Sequence, residues 1–166
     1  MAPNVFGLCG WSKAGKTTLI ERLVPELVHR GHRVGTLKHD VHGFLADTPG
    51  TDSWRHAAAG AIATLIAGPD GLALQRHGPP PPPEFLVGLL GDVDLVLAEG
   101  FKGAPWPKLE LHRGTGPLAC PDDPWLVAVA GPVQPLHCPV PWYHWDEIGA
   151  IIDLVENIYS LRLKAR

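Results

Sequence analysis

The apolar positions of this chain fall into short continuous runs separated by one long helical stripe. Val5-Phe6-Gly7-Leu8-Cys9 is a compact run ended by glycine, the pattern of a strand covered on both faces. From Lys16 onward Leu19, Ile20, Leu23, Val24, Leu27 and Val28 recur at helical spacing and predict an amphipathic helix. Pro25 lies inside that stripe, so a kink or one unpaired carbonyl is expected there. Gly31 supplies a C-terminal cap, and Arg33 to Leu37 reads as a second short strand.

The next segment, HDVHGFLADTPGTD, is polar and rich in turn residues, as an exposed loop would be. Asp52 or Ser53 can cap a short helix running through Ala59. AIATLIAG and GLALQRH read as two strands joined by Gly68-Pro69-Asp70-Gly71, a β-hairpin. Pro79 to Pro83 are five consecutive prolines, an extended spacer ahead of a helix near Glu84 to Leu90. DVDLVLAEGF is a second very apolar strand, ending in an acid and a glycine. KLELHR and Trp125 to Ala130 are further strand candidates, and an amphipathic helix from Glu147 to Leu163 closes the chain. Strands alternating with helices predict an α/β fold with a largely parallel sheet and helices on both faces.

Composition narrows the partners. The chain has 166 residues, so one domain over 1–166 is expected, with the proline spacer inside it. With 45% hydrophobic and 19% charged residues it reads as globular, not disordered. A net charge of -3 argues against a broadly basic nucleic-acid binder. No signal-peptide pattern precedes the first strand and no apolar run is long enough to span a bilayer, so a cytoplasmic protein without a membrane partner is expected. The three cysteines, Cys9, Cys120 and Cys138, have no CxxC spacing. A disulfide framework or zinc site is not expected from them, and Cys9 reads as a small core residue.

The chemistry concentrates in Gly10-Trp11-Ser12-Lys13-Ala14-Gly15-Lys16-Thr17-Thr18, which satisfies GxxxxGK[ST] between a strand and a helix. Glycines let the backbone turn its N–H groups inward onto phosphate oxygens. Lys16 reaches the β- and γ-phosphates, the Thr17 hydroxyl coordinates Mg²⁺, and the helix points its positive end at the same anion. Trp11 stands where deviant phosphate loops carry a lysine, and Lys13 is an additional cation. The strand DLVLAEG delivers Glu99 to the sheet edge, where an acid can hold Mg²⁺ or orient water. Asp40, after the second strand, is a rival for that role, and the sequence does not rank the two. Lys38-His39-Asp40-Val41-His42, with His56, could also be read as a metal cluster, but a polar loop beside an anionic ligand is the preferred reading.

GWSKAGKTTLIERLVPEL, RVGTLKHDVHGF, DTPGTDSWRHAAAGA and DLVLAEGFKGAPWPKLELHR occur in the order found in the MobB family. These are the molybdopterin-guanine dinucleotide biosynthesis B proteins, and the chain resembles them from about residue 5 to 113. The resemblance implies a P-loop NTPase-type three-layer fold, a homodimer, and GTP and Mg²⁺ as cofactors. It also implies slow hydrolysis at best and an adapter role beside the molybdenum cofactor guanylyltransferase. Asp40 and Glu99 would be the acids around the metal. His39, Asp52, Arg55, His56, Lys102 and Lys108 would line the face meeting molybdopterin or the partner.

Two departures stand out. No NKxD motif is present to read guanine, since Gly131-Pro132-Val133 follows the strand at WLVAVA. The proline run is unusual and could alter a nearby dimer surface. A small-molecule kinase is the alternative from another class, but the eight arginines are scattered and form no lid-like cluster. A nickel-insertion GTPase is the other alternative; it would need the histidine cluster.

Overall fold

A computed structural model describes residues 3–40, 43–44 and 47–160. The chain forms two compact units, Met1–His39 with Pro83–Arg166, and Asp40–Pro82 between them.

The first unit holds a six-stranded parallel sheet, built from β1 (Asn4–Cys9), β2 (Val34–Lys38), β5 (Leu95–Glu99), β6 (Lys108–Leu111), β7 (Leu126–Gly131) and β8 (Trp142–His144), in the order β2-β5-β1-β6-β7-β8. The predicted strand–helix–strand unit is present, but β5 intervenes between β1 and β2 and pairs with both. Period-2 alternation sends Phe6, Leu8, Leu95, Leu97, Leu109 and Leu111 to one face. There α1 (Lys16–His29) contributes Leu19, Leu23 and Leu27, and α4 (Ile148–Tyr159) contributes Ile151, Ile152 and Val155. Each fully buried leucine or isoleucine is worth roughly 1.5–3 kcal/mol. The opposite face buries Val5, Val96 and Ala98 against Val87 of α3 (Pro83–Gly88). The helices thus lie on both faces of the sheet, as predicted.

Pro25 does not end α1, which runs unbroken to His29. Pro25 sits on the exposed side, where water can serve the carbonyl that loses its donor, while Leu23 and Leu27 anchor both flanks. The end of α1 is tied to α4 by Arg30, which pairs with Asp153 and Glu156. The strand β8 was not predicted, because three residues are too short to display a period.

The second unit contains α2 (Asp52–Ala58) and the hairpin β3 (Ala63–Gly68) with β4 (Gly71–Arg76), joined at the predicted turn. Neither Asp52 nor Ser53 caps α2. Thr51 does, its hydroxyl accepting from the Trp54 N–H at 3.3 Å. The proline run leads out of this unit, and Pro83 is the first residue of α3, a position that tolerates the missing N–H.

Candidate functional site

The sheet presents the phosphate loop at the C-terminal end of β1. Gly10 has φ of 135°, and a Cβ there would stand 2.5 Å from the Leu111 carbonyl oxygen, so only glycine fits this passage beneath β6. Ala14 is buried and its N–H closes the turn on the Trp11 carbonyl at 3.2 Å. Gly15 precedes α1 without any side-chain cap, and a helix start without a side-chain cap is the kind that can receive an anion.

Lys16 folds back over this loop and donates to the carbonyls of Gly10 at 3.3 Å and Trp11 at 2.9 Å. Beside it the Thr17 hydroxyl donates to both oxygens of Glu99, at 2.9 and 3.1 Å. Glu99 ends β5, next to β1 in the sheet, so parallel pairing brings the acid to the loop. A hydroxyl and a carboxylate converging through oxygen alone are donors that suit a hard divalent cation. Ser12, Lys13, Thr17 and Thr18 are exposed along the same loop and helix start.

Trp11 has a different place from its neighbours in the motif. Its indole N–H donates to the Pro117 carbonyl at 3.0 Å, and the Lys102 ammonium lies 4.7 Å from its ring centroid. Trp11 therefore braces the loop against the segment after β6 and carries a cation over its face. His39 follows β2; its N–H bonds the Glu99 carbonyl at 2.9 Å, and its ring lies 5.1 Å from that of Phe101. His39, Lys102, Thr17 and Glu99 thus gather at one end of the sheet.

Lys108 does not line an open face. It is 1% exposed, and its ammonium donates to the Lys102 and Ala104 carbonyls and to Asp123 at 2.6 Å. Lys108 is buried because β6 is a central strand, and every one of its side chains is buried. Burial opposes ionisation of Asp123, but the hydrogen bonds from Lys108 and the Trp125 N–H outweigh it and hold the carboxyl below its usual range. Glu110, also buried, accepts from the N–H groups of Ala119 and Cys120. Cys9 lies with Cys120 and Glu110, and burial followed by the neighbouring Cys120 pushes its thiol up, consistent with the expected core role.

The remaining expected residues belong to the second unit. Asp40 is its first residue. Asp52 and Arg55 form an exposed i,i+3 pair at 3.6 Å on α2, with His56 following. His42, named in the metal-cluster reading, lies outside the described residues.

The sequence reading missed a cavity of about 280 Å³ beside the loop, lined by Gly15, Thr18, Arg22, Arg113, Trp145 and Asp146 among others. Arg22 donates to the Trp145 carbonyl at 3.1 Å and to Asp146 at 2.8 Å, tying the turn after β8 to α1. Arg22 was visible only as a polar position on the helix, and the turn depends on a strand too short to predict.

A parallel sheet whose first strand feeds a glycine-bounded loop into a helix, with a lysine, a hydroxyl and a strand-end acid above it, defines the phosphate-loop class of α/β proteins. Comparison with known proteins narrows the class. The model of the family described as molybdopterin guanine dinucleotide synthesis protein B, MobB, matches residues 5–132, and the chain belongs to this family. It is 37% identical over 157 residues to a molybdopterin-guanine dinucleotide biosynthesis adapter protein from Haemophilus influenzae, covering 92% of this chain and 88% of that one. A protein of the same description from Escherichia coli is 34% identical, covering 91% and 90%. The crystal structure of Bacillus subtilis MobB superposes with a TM-score of 0.72 at 28% identity, covering 98% of this chain and 99% of that one.

Proposed function

We propose that this chain is a GTP-binding adapter in the assembly of molybdopterin guanine dinucleotide, acting beside the guanylyltransferase of that pathway. The observation that carries the reading is the contact of Thr17 with Glu99 over a phosphate loop, in a chain whose relatives are named as adapters. Gly10 to Thr18 would cradle the triphosphate, with Lys16 leaving the loop carbonyls for the β- and γ-phosphates. Thr17 and Glu99 would hold Mg²⁺, which supplies charge neutralisation at those phosphates. Glu99 is the favoured metal-linked acid because it already touches Thr17; Asp40 stays a secondary candidate. Held on Thr17, Glu99 serves the metal better than an attacking water, in keeping with slow intrinsic hydrolysis.

In the first unit, His39 and Lys102 are the candidates to meet the pterin or the partner; in the second, taken by itself, Asp52, Arg55 and His56 are. Lys108 leaves that set. A homodimer is supported by the hairpin, where Leu65 pairs with Leu74 and Ala67 with Leu72 on one face. Leu65, Leu72 and Leu74 are 59%, 72% and 44% exposed, and a two-stranded hairpin needs a covering layer. Among the described residues no helix is long and apolar enough to cross a membrane. Sedimentation of the chain with the purified guanylyltransferase, with and without GTP, tests the adapter role. A complex strengthened by GTP and lost with Lys16→Ala is expected, and no complex under any nucleotide condition would refute it.

A further inference from the structure

The cavity beside Thr18 adjoins the start of α1 on the side away from Glu99's strand, where a triphosphate seated on Lys16 and Thr17 would extend its nucleoside. Its volume of about 280 Å³ lies just below the roughly 300 Å³ at which ordinary drug-sized sites begin, and is of a size for a nucleoside. From its polar lining we infer that Asp146 reads the N1–H and 2-amino edge of a guanine base, with the half-buried Trp145 beside the ring. This inference rests on the nucleotide-binding reading above.

Three observations lead there. Asp146 is the carboxylate among the lining residues, accompanied by the cations Arg22 and Arg113. It is also held in place, because Arg22 grips both the Trp145 carbonyl and the Asp146 Oδ1, and Arg22 lies on the helix that begins at Lys16. Phosphate and base contacts would therefore share one rigid element. The Trp145 N–H also donates to the Gly131 carbonyl at 3.3 Å. Asp146 thus sits beside the end of β7, the strand whose own following loop, Gly131-Pro132-Val133, offers no acid. A residue beyond the short strand β8 supplies what that loop lacks.

The carboxylate has the capacity required. Oδ1 accepts from Arg22, and Oδ2 lies 3.4 Å from the His144 Nδ1. Each oxygen keeps a further lone pair, so the two can accept the two donors of a guanine edge. Adenine presents an acceptor at N1, which a carboxylate repels. Charge-assisted bonds of this kind change affinity by about tenfold or more when lost.

The test is a set of calorimetric titrations of GTP, ATP, ITP and XTP in Mg²⁺, on the full chain and on Asp146→Asn. ITP lacks the 2-amino donor, and XTP replaces it with an oxygen that an asparagine amide can serve. The wild type should prefer GTP over ATP and ITP by about tenfold or more. Asp146→Asn should lose GTP affinity by a similar factor, gain XTP affinity, and leave ATP unchanged. Wild-type affinities for GTP, ITP and ATP that agree would overturn the inference while leaving nucleotide binding intact, and this arm needs no variant. Equal weakening of all four by Asp146→Asn would assign the residue to holding Arg22 alone. Failure of the wild type to bind any of them would overturn this inference together with the nucleotide-binding reading.

Discussion

The Thr17 hydroxyl donates to the Glu99 carboxylate at 2.9 Å, joining two residues 82 positions apart that the neighbouring strands β1 and β5 bring to one edge of the sheet. The pair is exposed, so it adds little to stability. Its consequence is chemical: a hydroxyl and an acid stand together as oxygen ligands that would hold a divalent ion. Glu99→Gln keeps the shape and removes the charge. Titrations with and without Mg²⁺ should find the Mg²⁺-dependent gain in GTP affinity reduced about tenfold. The thermal midpoint should stay close to wild type. An unchanged Mg²⁺ gain would remove Glu99 from the metal site.

Lys108 illustrates the opposite case, a cation with a structural role. Replacing it by Met would strand the buried side of Asp123 and leave the Lys102 and Ala104 carbonyls without their donor. A loss of about 3 kcal/mol in urea unfolding is expected.

Asp123 gives the same pair a pH signature. Its folded carboxyl is held below the ordinary value near 3.9, so the stabilisation is fully present above about pH 4 and disappears as pH falls through the folded value. Acid unfolding of wild type against Asp123→Asn should show the slope of stability with pH reduced in the variant below about pH 4. Identical slopes would mean that the carboxyl is not depressed.

Gly10 makes a purely steric prediction. An added Cβ meets the Leu111 carbonyl oxygen at 2.5 Å in a backbone conformation that side chains rarely adopt. Gly10→Ala should lower stability by about 1–3 kcal/mol and abolish nucleotide binding together, read by melting and calorimetry on the same sample. Retention of both would show that the loop has another available path.

The hairpin predicts the assembly state. Leu72→Glu places a charge on the apolar face that Leu65 and Leu74 share. Sedimentation should find a dimer for wild type and a monomer for the variant, with helix content unchanged. A wild type that is monomeric at all concentrations would refute the dimer.

The strong periodic elements were legible because each depends on its own residues. The stripe from Leu19 to Val28 specified α1, and the alternation around Gly68-Pro69-Asp70-Gly71 specified the hairpin. Features set by tertiary neighbours were not. Nothing local says that β5 will enter between β1 and β2, or that Lys108 will meet Asp123 inside the protein. The phosphate loop and Glu99 were readable as a motif, whereas Arg22, Trp145 and Asp146 become a cavity wall only once α1 and the turn after β8 are packed. The cap of α2 is Thr51 and not Asp52 or Ser53, because Thr51 has the extended backbone that brings its hydroxyl to the Trp54 N–H.

Calorimetric titration of GTP into the Mg²⁺-supplied chain and its Lys16→Ala variant tests most directly whether this phosphate loop binds GTP. Saturable binding by the wild type and none by the variant is expected, with both melting at similar temperatures, because among the described residues the Lys16 ammonium donates to the loop carbonyls of Gly10 and Trp11. Equal binding by the two proteins, or none by either, would contradict it.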